Sequence, residues 1–335
     1  MPWDEIRGQD RAVRQVRAAL ERGQPHHAYL FAGPEGVGKE LAARLFAQAA
    51  NCEAAEGLRP CGACDSCKRI VKGSHPDVLF LRPQADLVAR GQMGKADFDA
   101  APSREIRVDE VRQLARRLSL AAAVGRRKIA VLTPADAINE RAQNAILKTL
   151  EEPPPSTTFI LVTAAPDVLL PTVRSRCQRV SFGPLATVEI AAELARRGVP
   201  QEEASARAEV AHGSLGRALI LTAAEVGKRG EVRSAVLEAL TAGDERPALD
   251  LAEAYSDREK AEQLVYSIRE FLHDSLVQLA VGSLSASPTS LLREHDLADE
   301  VVDALEQNGN GRLQVERLLL GLRELRAPAA GGARG

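Results

Sequence analysis

Residues 33–40 read GPEGVGKE. Gly33, Gly36 and Gly38 let a backbone fold tightly around an anion, Lys39 supplies the balancing charge, and the start of a following helix adds free N–H groups, so the stretch has the makings of a phosphate-binding loop. Its last position departs from that chemistry. A serine or threonine hydroxyl normally holds magnesium there, whereas this chain has Glu40, which brings a negative charge towards an anion. Nucleotide binding at Lys39 is left open, but hydrolysis also needs an acidic pair at the end of a later strand. The candidate strand KIAVL runs into Thr133-Pro134-Ala135-Asp136, so Thr133 and Pro134 stand where the acids belong. Asp136 is expected to cap the next helix. With the metal-binding hydroxyl and the water-orienting acids both missing, no intrinsic ATPase is expected.

Four of the five cysteines form a second constellation, Cys52-x8-Cys61-x2-Cys64-x2-Cys67. The C-x2-C spacing lets two thiolates grip one ion, and four thiolates complete the closed tetrahedral shell of a structural zinc site. Such a shell has no open position for water, so it contributes folding energy and not catalysis. A redox pair at Cys61 and Cys64 leaves Cys52 and Cys67 unexplained, and an iron–sulfur cluster is the other alternative.

The scaffold holding these groups is legible in outline. The 335 residues suggest two or three domains, and 45% hydrophobic with 27% charged residues places the chain in the globular class. A net charge of -2 gives no general attraction to nucleic acid, and 3% aromatics leaves little for base stacking. No run is long and apolar enough for a membrane span and the first residues, MPWDEIRGQD, lack an apolar leader core, so a cytoplasmic protein is expected.

A helical pattern on Val13, Val16 and Leu20 precedes the strand-like AYLFA at 28–32. Helical and strand-like stretches then alternate: 41–50 helix, 77–81 strand, 108–118 helix, 128–133 strand, 137–152 helix and 158–163 strand. That alternation predicts a parallel sheet covered on both faces. The polar stretch 82–105 reads as a mobile surface loop, and beyond Gly183-Pro184 only helical periodicities occur.

GPEGVGKE, the cysteine cluster followed by GSHPDV (73–78), LKTLEEPP (147–154) and LLPTVRSRC (169–177) occur in the order found in bacterial clamp-loader subunits. The chain resembles the delta-prime family of DNA polymerase III, AAA+ proteins, over nearly its whole length. The motifs are dense to about residue 183. Beyond that the resemblance rests on length and helical character.

The resemblance implies an α/β plus all-α protein in three domains. These are an AAA+ P-loop parallel-sheet domain at 1–183 carrying a zinc module at 52–67, a helical lid at 184–227 and a helical collar at 228–326, before a disordered tail at 327–335. It also places an arginine finger at Arg176, within Ser175-Arg176-Cys177, acting on the ATP site of a neighbouring subunit; Cys177 is then a packing residue. Thr163 corresponds to the family's sensor-one position and Arg217, in HGSLGRA, to sensor two. Trp3 would border the adenine pocket or pack in the core. His26 and His27 are expected to pack or form hydrogen bonds, and Arg116-Arg117 to lie on a solvated helix face. The implied partners are the gamma/tau and delta subunits, the sliding clamp, and primed DNA through the assembled complex, with no membrane. The implied role is a non-hydrolysing stator. One alternative is an active gamma/tau-like ATPase motor, against which Glu40, Thr133 and Pro134 speak. Another is a stand-alone zinc-dependent nucleic-acid-binding protein, which the net charge and the few aromatics disfavour.

Overall fold

The computed structural model describes residues 2–98, 100–280, 287–307 and 309–326. The expected disordered tail lies outside them. The chain divides into two compact units, Met1–Leu221 and Thr222–Gly335.

Five strands of the first unit form one parallel sheet: β1 (Ala28–Ala32), β2 (Val78–Leu81), β3 (Lys128–Leu132), β4 (Thr157–Thr163) and β5 (Gln178–Ser181), in the order β2-β3-β4-β1-β5. Every residue of β1, β3 and β4 is buried, as befits strands covered on both faces. The periodicity of the sequence does not announce β5. Only Val180 of its four residues is buried, and its pairing with β1, Tyr29 opposite Gln178 and Phe31 opposite Val180, makes it a strand.

The helices of this unit are α1 (Asp10–Glu21), α2 (Lys39–Asn51), α3 (Asp65–Val71), α4 (Gln84–Ala89), α5 (Val108–Ser119), α6 (Glu140–Glu151), α7 (Pro171–Arg174), α8 (Thr187–Arg196), α9 (Gln201–Val210) and α10 (Leu215–Ile220). α6 starts at Asn139, whose side chain accepts the Ala142 N–H at 3.0 Å, a cap worth about 1 kcal/mol. Val111, Leu114 and Leu118 of α5 and Ile146 and Leu150 of α6 pack on Leu79, Leu132, Phe159 and Leu161 of the sheet. Each large apolar side chain so buried contributes roughly 1.5–3 kcal/mol.

α4 and a 3-10 turn at Lys95–Asp97 lie in the stretch read from sequence as a loop. α4 buries no residue, so it leaves no apolar periodicity. Charge holds it: Asp86 accepts from Arg82 at 3.4 Å and from Arg90 at 3.0 Å.

The second unit is entirely helical among its described residues, with α11 (Ala223–Thr241), α12 (Arg246–Ala254), α13 (Arg258–Ala280), α14 (Pro288–Glu306) and α15 (Gly311–Arg326). Its core includes Leu264, Ile268, Leu272, Val301, Leu318 and Leu322. Among the described residues no helix is long and apolar enough to cross a membrane.

Candidate functional site

β1 delivers the chain at Ala32 into the glycine loop, which turns directly into α2. A Cβ at Gly33 would lie 2.1 Å from the Phe182 carbonyl oxygen, so no side chain fits there. Gly36, at φ +70°, meets the start of α10, where the Gly216 N–H donates to its carbonyl at 2.9 Å and a Cβ would lie 2.1 Å from Ser214 Oγ. Lys39 is buried, and its Nζ donates to the carbonyls of Gly33, at 2.5 Å, and Pro34. Burial lowers its pKa to about 8. At neutral pH it remains charged but turned onto its own loop.

A cleft of about 440 Å³ opens beside this loop, lined among others by Lys39, Glu40, Arg90, Thr133, Asp136 and Thr163. Glu40 is not a bare carboxylate facing an incoming phosphate. Arg82 donates to its two oxygens at 2.8 and 2.9 Å, and Arg90 donates to both at 3.2 Å. Arg82 is only 6% exposed and lies over the Phe80 ring at 5.4 Å. Burial alone would raise the Glu40 pKa, but the hydrogen bonds and charges of Arg82 and then Arg90 outweigh it and hold the carboxyl below its ordinary value. Two guanidinium and two carboxylate groups thus form a closed network where the loop would otherwise present a hydroxyl to a metal.

Asp136 departs from the sequence expectation. Asn139 caps α6, because the 3-10 turn Ala135–Ala137 intervenes and leaves Asp136 facing the sheet. There it accepts a hydrogen bond from Thr163 Oγ at 2.6 Å and adds a negative charge that Lys39 senses. Thr163, at the end of β4, is therefore occupied by Asp136 and also accepts the Ala165 N–H at 2.9 Å.

Arg176 lies at the opposite end of the strands. It follows α7 and precedes β5, next to the C-terminus of α6, in a recess of about 660 Å³ that includes His26 and His27 from the segment before β1. β1 separates this recess from the glycine loop by roughly 16 Å, at about 3.3 Å per residue. The guanidinium is one-third exposed and donates to Glu151 at 2.5 Å and to the Thr172 carbonyl at 2.8 Å. Cys177 packs against the sheet core, and burial raises its thiol pKa to about 12. The rings of His26 and His27 lie 4.2 Å apart. Burial, with the charge of His26, lowers the His27 pKa.

Cys52, at the end of α2, meets Cys61, Cys64 and Cys67, the last in α3, with all four Sγ atoms within 4.8 Å of one another. Four sulfurs about 2.3 Å from a common ion would stand about 3.8 Å apart, and Cys52 and Cys64 Sγ are separated by 4.0 Å. No disulfide joins them. The N–H groups of Cys61, Cys64 and Cys67 donate to the sulfurs of Cys52, Cys61 and Cys64 at 3.3–3.4 Å. The donor set fits a closed metal site. Trp3 is buried beside it and donates to the Arg59 carbonyl at 3.3 Å. Arg217 is half-buried in α10, and Arg116 and Arg117 lie exposed on α5.

The family model described as DNA polymerase III, delta subunit, matches residues 8–186. The chain belongs to this family of clamp-loader proteins. It is 36% identical to the DNA polymerase III subunit delta' of Pseudomonas aeruginosa over 56% of its own length and 52% of that protein's. It is also 34% identical to the subunit tau of Bacillus subtilis, over 68% of this chain and 36% of that one. The chain thus spans about half or less of the length of these relatives. A solved gamma subunit-related protein of Thermotoga maritima overlaps 93% of this chain and 99% of its own, at 16% identity and a TM-score of 0.45. The five-stranded parallel sheet, the glycine loop that runs into α2 and the helices that follow give the α/β plus all-α fold expected from the sequence.

Sequence reasoning missed Arg82, Asp86, Arg90 and Glu151. The first three stand four residues apart, with alternating charge, the spacing at which neighbouring turns of a helix pair their side chains. That signal was present in the stretch read as a loop. Nothing in the sequence links Glu151 to Arg176, because their contact exists only once α6 and α7 pack together.

Proposed function

We propose that the chain is a non-hydrolysing, delta-prime-like stator of the DNA polymerase III clamp loader, acting in the cytoplasm with gamma/tau and delta subunits to place the sliding clamp on primed DNA. The observation that carries this reading is the engagement of Glu40 by Arg82 and Arg90. Magnesium-assisted phosphoryl transfer needs a hydroxyl on the metal and a positioned water. Here the first position is a neutralised carboxylate, and Thr133 and Pro134 provide no acid for the second. Arg176 supplies its charge in trans. Its recess lies beyond the far end of β1 from the chain's own P-loop, so a phosphate reached by Arg176 belongs to a neighbouring subunit. An always-charged planar guanidinium suits that role. The four cysteines hold zinc, whose part is to cross-link the end of α2 to α3.

The motor reading has one observation in its favour, the 30–34% identity to several tau subunits. It requires ATP turnover by a site with neither hydroxyl nor acidic pair. Purified chain is therefore expected to show no ATPase activity, and Glu40→Thr to create none, since Thr133 and Pro134 still leave water unoriented. Steady turnover by the wild-type chain that Lys39→Ala abolishes would return the motor to first place.

A further inference from the structure

Arg176 has a companion that its motif does not contain. Its guanidinium is tethered at two points, by one Nη to the Thr172 carbonyl at 2.8 Å and by the other to Glu151 Oε1 at 2.5 Å. The backbone beneath is anchored too. Val173 is 1% exposed, Cys177 packs on the sheet core, and Ser175 Oγ also donates to the Thr172 carbonyl, at 3.1 Å. A guanidinium carries five N–H donors, and the others face no acceptor among the described residues. Two tethers on a planar group fix both its position and the direction of its plane. An untethered arginine would have to order several side-chain torsions when a phosphate arrived.

We infer that Glu151 is a positioning residue for Arg176: its carboxylate, at the C-terminus of α6, holds the guanidinium so that the untethered N–H groups face a phosphoryl anion presented by a neighbouring subunit. The inference rests on Arg176 acting as a finger in trans. Glu151 and Arg176 line the same recess side by side, and a carboxylate that holds one edge of the guanidinium leaves its remaining N–H groups available as preformed donors. Both side chains are partly exposed, at 33% and 49%, so the pair adds little to stability. Its consequence is geometric, since a misplacement of 1 Å costs on the order of 10²-fold where positioning governs the rate.

The test uses the assembled clamp-loader complex rebuilt with wild-type chain, Glu151→Ala, Glu151→Gln, Arg176→Ala or the double alanine variant. Assembly is checked by size, and ATP hydrolysis is measured against ATP concentration. The Arg176-dependent part of the rate is wild type minus Arg176→Ala. Glu151→Ala is expected to lower that part about tenfold through kcat, with KM nearly unchanged. Glu151→Gln, which keeps an oxygen acceptor, should restore most of it. The double variant should be no slower than Arg176→Ala. If Arg176→Ala is slow and Glu151→Ala runs at the wild-type rate or faster, the positioning role is overturned while the finger reading stands. A slow Glu151→Ala on top of Arg176→Ala means that Glu151 acts on something other than the arginine, which also overturns it. Unchanged rates with Arg176→Ala in a fully assembled complex overturn the finger reading, and this inference with it.

Discussion

Glu40→Gln removes one negative charge from a network built around a buried cation. Breaking a buried ion pair by deleting one partner costs about 3–5 kcal/mol. Two features reduce that figure here. The Glu40 side chain is 32% exposed, and Arg82 keeps Asp86 at 3.4 Å, so about 2 kcal/mol is expected. In a unit of this size each kcal/mol lowers Tm by roughly 2–4 °C, which gives a fall of about 4–8 °C at pH 7, read by circular dichroism melting. The effect should depend on pH in a defined direction. Because the fold holds the Glu40 carboxyl below its ordinary value of 4.5, its contribution is fully present above that value. It is lost as pH falls through the depressed folded value. The gap between wild type and Glu40→Gln should therefore be constant from neutral pH to about 5 and close below the ordinary carboxylate range. A variant that melts with the wild type at pH 7, or a gap that persists unchanged into acid, would refute the view that Glu40 balances Arg82 and Arg90.

Arg176→Ala should leave folding and assembly intact, because it trims a partly exposed side chain, yet lower ATP turnover and clamp loading by the rebuilt complex. A finger is worth about 10³–10⁵ at one site, total turnover should fall only partly because other sites remain, and Arg176→Lys should recover little. Elemental analysis should find one zinc per chain, and Cys64→Ser should release it and loosen the segment around Cys52–Cys67 more than the sheet, as hydrogen exchange would report. A metal-free protein with a protected cysteine module would contradict this. Asp77 accepts the N–H groups of Ala123, Val124 and Gly125 at 2.6–2.8 Å. Asp77→Asn, with one acceptor oxygen in place of two, should cost about 1–3 kcal/mol and speed exchange at those three amides first; unchanged exchange there would show that the carboxylate is not what holds the turn.

The features that follow from local chemistry are legible in the chain before it folds. Short continuous apolar runs such as AYLFA and TFILVT, alternating with longer helical patterns, read as strands buried on both faces, and the glycines at 33, 36 and 38 permit a tight loop between strand and helix. The cysteine spacing brought four sulfurs together through chain segments short enough to leave few alternatives. Tertiary structure decided what those groups face. β5 is a strand because β1 offers its edge, not because QRVS insists on it. Asp136 could have capped α6 by its position in the chain, but an intervening turn gave that task to Asn139 and turned Asp136 towards Thr163. The largest difference lies in Glu40, which reads alone as a charge that repels phosphate. Arg82 and Arg90 are more than forty residues away, and only the fold, which brings the first turn of α2 within reach of the residue after β2 and the residue after α4, turns it into the centre of a neutral network. Periodicity is carried by neighbouring residues and survives in any fragment. A charge network has no period, and it exists only where the fold brings distant side chains within hydrogen-bond reach.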